Sequence, residues 1–298
     1  AGIRRRASIR LEQLRQARRI HGGLLGLGRA VFGVKASRWP IPSQRLRGRL
    51  FRDLYARMYP PGLNEEEAER PLGDYPTFNA LFTRGLKREH RPIPDGSDLL
   101  SPCDGTVQDV GRIEGGRLVT AKGIEYSVDS LLAGLDARPY EGGWFAVVFL
   151  SPIGCRRVFS PANALVEEAV HVPGARLLVH PPFQTSKYPV YTLNERVILR
   201  LATDTGPCAV VLVAGWGVGN VTLPLAPGFR TTGRRVESHR WPSPPEVRRG
   251  DWIATFELGS TVVLMASSSL AATPVVSPNE KVRYGQPVFQ VDSHAVAR

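Results

Sequence analysis

The chain has 298 residues, 42% hydrophobic and 22% charged, the balance of a folded protein of one large domain with appendages or two small ones. Three scattered cysteines exclude a full disulfide framework and favour a reducing compartment, while 25 prolines and 30 glycines favour short strands and turns over a helical bundle. The net charge of +12 sits at one end: residues 1–60 hold fifteen Lys/Arg against Glu12 and Asp53, and the remainder holds 24 basic against 25 acidic residues. Such an end suits a polyanion, and no nucleic-acid motif accompanies it, so an anionic membrane surface is the expected partner and nucleic acid is not.

In chain order, residues 7–20 (ASIRLEQLRQARRI) set Ala7, Leu11, Leu14 and Ala17 at helical spacing among arginines. The apolar stretch from Gly22 to Val34 contains Arg29 and is too short to span a bilayer, and no clear small-residue cleavage site follows it. Residues 44–58 predict a second basic amphipathic helix. Its stripe is Leu46, Leu50, Phe51, Leu54, Tyr55 and Met58, with Arg45, Arg49, Arg52 and Arg57 around it. A stripe of this kind can lie among anionic headgroups or pack on the rest of the protein. The first helix is read as membrane-facing, and the second is open between the two. Residues 59–76 read as a Pro-bounded acidic linker. The boundary between a membrane-associating region 1–70 and a β-rich domain 71–298 is placed there, and Phe78 to Leu86 is predicted as one helix.

From Leu99 onward the chain turns to short apolar, β-branched segments bounded by Gly and Pro, among them WFAVVFLS, ALVEEAVHV, RVILRLAT, CAVVLVAG and TVVLMAS. The predicted class is α+β, with a mainly antiparallel β core, a sandwich or distorted barrel, and N-terminal amphipathic helices. Dinucleotide loops, phosphate loops, HExxH and CxxC are all missing, and no metal site is expected. Two stretches hold the candidate chemistry. In Ser101-Pro102-Cys103-Asp104-Gly105, Asp104 either caps a turn or takes part in chemistry. In Leu258-Gly259-Ser260-Thr261, Ser260 is a strand residue, a nucleophile or the site of chain scission.

These stretches belong to an ordered set. Thr77 to Arg84 with Arg91-Pro92-Ile93, the SPCDG turn, Ala121-Lys122-Gly123 with Tyr126-Ser127, Val172-Pro173-Gly174, Asn194-Glu195-Arg196-Val197, the LGST segment and Gly285-Gln286-Pro287 follow one another from about residue 45 to 290. Together they resemble the pyruvoyl-dependent phosphatidylserine decarboxylase family. The resemblance implies a carboxy-lyase made as an inactive zymogen. The Ser260 hydroxyl would attack the Gly259 carbonyl, and β-elimination would leave a larger subunit, 1–259, and a smaller one, 260–298, that begins with a pyruvoyl group made from Ser260. The substrate amine would form a Schiff base with that group, turning phosphatidylserine into phosphatidylethanolamine and CO2. A peripheral location on the cytoplasmic face of a membrane, without a spanning helix, and a homo-oligomeric state are expected.

One segment departs from the family pattern, which reads YLSPxDYHRVHxP. Here the chain has FLSPIGCRRVFSP, so Arg156 and Phe159 stand where the two histidines should be. The second histidine would join Asp104 and Ser260 in the self-cleavage triad. Phe cannot accept a proton, and Arg stays protonated at useful pH. His171 and His180 are the candidate substitute bases. Two alternatives accompany the decarboxylase: an uncleaved, degenerate homologue that binds lipid or acts as a scaffold, and a family member with a different amine substrate.

Overall fold

The computed structural model describes residues 2–150, 154–216, 220–229, 231, 233–257 and 260–292. Three helices come first: α1 Gly2–Ile20, α2 Leu24–Ala36 and α3 Gln44–Met58. The Ser43 hydroxyl accepts the Leu46 N–H at 3.4 Å and caps α3. The predicted stripe of α3 divides in two. Phe51 and Tyr55 are buried with Leu72, Tyr75, Phe78, Leu81 and Phe82, whereas Leu46, Leu50, Leu54 and Met58 stay exposed. Segment 59–76 is therefore more than a linker, because its Leu72 and Tyr75 complete this small core.

Helix α4 spans only Phe78–Phe82, shorter than the predicted helix to Leu86. Beyond it, Leu86 pairs with Ala68 in an antiparallel bridge. Glu69 N–H donates to Gly85 O, and Lys87 N–H donates to Glu67 O. Extended pairing thus takes the backbone groups that a continued helix would need.

α1 docks on the body through its polar side. Gln13 Oε1 accepts the Arg176 N–H at 3.3 Å, Gln16 Oε1 accepts the Leu178 N–H at 3.0 Å, and the Ser8 and Tyr188 hydroxyls lie 3.0 Å apart. Of the sequence-predicted stripe, Ala17 is buried, but Leu11 and Leu14 face solvent. Leu24, Leu25, Val31 and Phe32 of α2 and Trp39 after it are also exposed. Most of the large exposed hydrophobic residues therefore lie before residue 60. Among the described residues no helix is long and apolar enough to cross a membrane.

A long antiparallel sheet forms the centre. Strand Ser260–Ala266 runs between Gly206–Ala214 and Trp144–Phe149. Arg196–Thr203 and Ala164–Val172 extend the sheet on one side, and Gly105–Glu114 extends it on the other. Polar–apolar alternation is missing from the central strands because both faces are covered. Val262, Leu264 and Ala266 join one core with Val148 and Leu212, and Val263 and Met265 join a second with Phe145 and Val211. Two three-stranded sheets contribute Ala254, Phe256, Val288 and Phe289 to the first core. Tyr126, Leu131 and Tyr191 fill the second. Cys103, Cys155 and Cys208 are free and buried. Burial pushes the Cys155 thiol up to about 11 and the Cys208 thiol to about 12, so neither is a thiolate nucleophile at neutral pH.

Candidate functional site

Ser260 opens the central strand, opposite Ala214, and its carbonyl accepts the Leu150 N–H at 3.1 Å. The β-branched run behind it favours the strand. Alternation puts Ser260 on the face of Val262 and Thr261 on the face of Val263. Both hydroxyls are fully buried, and neither has a hydrogen-bond partner among the described residues. Gly259, the acyl side of the expected scission, lies outside the described residues, as do Ser151 and Pro152.

Asp104 is buried at the end of its turn. Its Oδ1 accepts Arg91 Nε at 3.2 Å and the Tyr284 N–H at 2.9 Å, and its Oδ2 accepts Arg91 Nη2 at 2.6 Å. Arg91 Nη2 also donates to Glu67 at 3.0 Å. Burial opposes the Arg91 charge, but the bonds to Asp104 and Glu67 outweigh it and raise the pKa. Phe159 does stand beside this turn. Its N–H donates to Pro102 O at 2.7 Å, and its ring stacks on Tyr284 at 3.7 Å and 16°. The Asp104 carboxylate, expected from sequence to orient a base, is thus bound by a guanidinium, and Phe159, expected to stand at that base's position, is a stacked aromatic ring.

Arg156 is 1% exposed. Its guanidinium lies 4.6 Å from the Phe82 ring centre, Nη1 makes a long 3.5 Å contact with Leu150 O, and Nε is without a partner among the described residues. Burial, aided by nearby Arg84 and opposed by Tyr55 and Tyr59, brings its pKa down to about 10. It remains a cation at neutral pH.

The two histidines sit elsewhere. His171 is buried, 3.9 Å from Glu195 Oε1. Its register runs through Val197 and Leu212 to Val262, three strands away, or about 14 Å at ordinary strand spacing. His180 is exposed and packs edge-on to Phe149 at 5.5 Å; Phe149 in turn lies opposite Thr261. Among the described residues no group of three acidic, His or Cys side chains could hold a metal ion. Arg91 and Tyr284 were not singled out as site residues from sequence. They lie 13 and 180 positions from Asp104, and no spacing rule joins them.

The site and fold describe a mainly antiparallel β protein with a buried serine, preceded by glycine, at the head of its central strand. A family model described as phosphatidylserine decarboxylase matches residues 78–290. Proteins named phosphatidylserine decarboxylase proenzyme are similar along most of their length. That of Anaeromyxobacter sp. is 36% identical over 269 residues, covering 88% of this chain and 93% of that protein. That of Halorhodospira halophila is 40% identical over 229 residues (75% and 76%), and that of Alkalilimnicola ehrlichii is 36% identical over 237 residues (76% and 81%). The chain belongs to the phosphatidylserine decarboxylase family.

Proposed function

We propose that the chain is a self-processing proenzyme whose mature form decarboxylates phosphatidylserine to phosphatidylethanolamine at an anionic membrane surface. Ser260 carries this reading: a buried hydroxyl without a partner among the described residues, at the first residue of the central strand. A β-hydroxyl on that residue is what a pyruvoyl group is made from, so the residue fits the group. The Ser260 hydroxyl attacks the Gly259 carbonyl, and the acyl group moves from nitrogen to oxygen. Elimination then releases 1–259 with a Gly259 carboxylate and leaves a dehydroalanine at position 260, and water hydrolyses its imine tautomer, releasing ammonia and leaving the pyruvoyl group on 260–298. The pyruvoyl carbonyl then supplies the electron sink for loss of CO2.

Asp104, gripped by Arg91, shapes the turn beside the site, and Phe159 relays no proton to it. Loss of a general base typically costs about 10²–10⁴ in rate, which a once-per-molecule cleavage tolerates by running over hours. Arg156 offers a fixed positive charge rather than a proton acceptor. The exposed leucines of α1 to α3 enter the headgroup region, and the surrounding arginines meet lipid phosphates. This makes the protein peripheral, with residues 1–70 on the bilayer and 71–298 performing the chemistry.

The stacking of Phe159 on Tyr284 favours a second reading, an uncleaved lipid-binding homologue. Denaturing electrophoresis separates the two. A fragment of residues 260–298, lost on Ser260→Ala, supports the decarboxylase. A single intact band at 32.7 kDa after prolonged incubation leaves the second reading.

A further inference from the structure

Arg156 carries a charge that the rest of the chain leaves unanswered. Its guanidinium is buried, and burial draws its pKa down only to about 10, so it stands in the interior as a cation. Every Asp and Glu of the chain lies within the described residues, and none of them forms an ion pair with it. Its surroundings are the Phe82 ring, Tyr55, Tyr59, Cys155 and a second cation, Arg84. The ring face offsets part of the charge. Nε, however, has no partner among the described residues, and Nη1 comes only to 3.5 Å from Leu150 O. A buried cation without an anion is strongly unfavourable, and an apolar side chain of similar volume would avoid that cost.

Arg156 also touches the chain on both sides of the Gly259–Ser260 bond. Upstream, its carbonyl accepts the N–H of Phe256 at 3.1 Å, and Phe256 ends a strand three positions before Gly259. Downstream, Leu150, whose carbonyl faces Nη1, donates its N–H to Ser260 O at 3.1 Å. A single residue thus bridges the guanidinium to Ser260.

Scission begins with charge separation at this bond. A lone pair of Ser260 Oγ forms a bond to the Gly259 carbonyl carbon, the hydroxyl proton passes to water, and the carbonyl π pair moves onto oxygen as an oxyanion. When that pair returns, the C–N bond breaks, the Ser260 nitrogen takes the proton back, and an ester remains. Phe159 gives proton removal no help, so stabilisation of the oxyanion is the larger lever on the rate.

We infer that Arg156 is the oxyanion-stabilising residue of self-processing: its unpaired guanidinium meets the negative charge formed as the acyl group leaves nitrogen. The inference rests on the self-processing reading. Its test follows scission of full-length wild-type, Arg156→Met and Arg156→Ala chains, made by cell-free synthesis, by electrophoresis with and without hydroxylamine. Hydroxylamine cuts the ester even where elimination is slow, and Ser260→Ala is the control. Arg156→Met is expected to slow scission by about 10²–10³, the effect of removing an oxyanion donor. Its melting midpoint is expected to be unchanged or higher, because an unpaired charge gives way to an apolar side chain. In Arg156→Ala, millimolar guanidinium is expected to restore scission, and urea or sodium chloride at the same concentration is not. A merely structural role would lower the midpoint and give no such rescue. Scission slowed less than tenfold in Arg156→Met, or no restoration by guanidinium in Arg156→Ala, overturns the assignment and leaves self-processing standing. A wild-type chain that stays intact even in hydroxylamine refutes self-processing and this role together.

Discussion

At Phe159 the proposed self-processing meets a side chain that cannot accept a proton. The ring lies against Tyr284, whose backbone N–H binds Asp104, so an imidazole at 159 would enter the same neighbourhood. Phe159→His is expected to speed scission by about 10²–10⁴, the range of a general base, in a time course followed by electrophoresis. An unchanged rate would show that the Arg91–Asp104 pair prevents any base from working there. Asp109 gives a pH test. Burial is the main cause of its raised pKa, with the Ala121 N–H and Lys122 opposing. A carboxyl whose folded pKa exceeds its unfolded value stabilises the fold while protonated, and that contribution is lost as pH rises through the folded pKa. Asp109→Asn is therefore expected to raise the melting temperature at pH 7 and to leave it nearly unchanged well below the ordinary Asp value of about 3.9, where the carboxyl is neutral both folded and unfolded. A Tm difference of the same size at both pH values would disprove this.

On α3, neighbouring positions do opposite work. Phe51 and Tyr55 hold the helix to the small core, while Leu50 and Leu54, the residue before each, face outward. Phe51→Ala is expected to destabilise by about 3–5 kcal/mol, the cost of a large core truncation, as read by denaturant unfolding. Leu50→Ser with Leu54→Ser should stay within about 0.5 kcal/mol per site and instead weaken co-sedimentation with anionic vesicles. If the double variant unfolds more easily but sediments as before, the exposed stripe is not a lipid contact. Sequence periodicity marked these residues as one stripe, because a 3.6-residue repeat records which side of a helix is apolar and not what covers it. The predicted helix to Leu86 failed for a related reason. Its last turn is overridden by pairing with residues 67–69, which no local propensity encodes.

Across the whole molecule, charge and apolar exposure coincide at the N-terminal end, and the buried serine lies in the sheet behind it. Vesicle binding is expected to fall between low salt and 0.5 M salt as arginine–phosphate attraction is screened, with a residual apolar component. Salt-independent binding would remove the arginines from the account. The sequence by itself determined the α+β class, the basic end, the ordered motifs that resemble the family, the Gly259-Ser260 pair and the presence of Arg156 and Phe159 in the FLSPIGCRRVFSP segment, since each is a matter of residue type and order along the chain. Only the tertiary structure decided that Arg91 grips Asp104, that Phe159 stacks on Tyr284, that Arg156 is buried over Phe82, and that residues from 108 to 184 meet in one pocket. These contacts join positions up to 125 residues apart, as Phe159 and Tyr284 are, and the sheet register and side-chain packing that bring them together are properties of the fold as a whole.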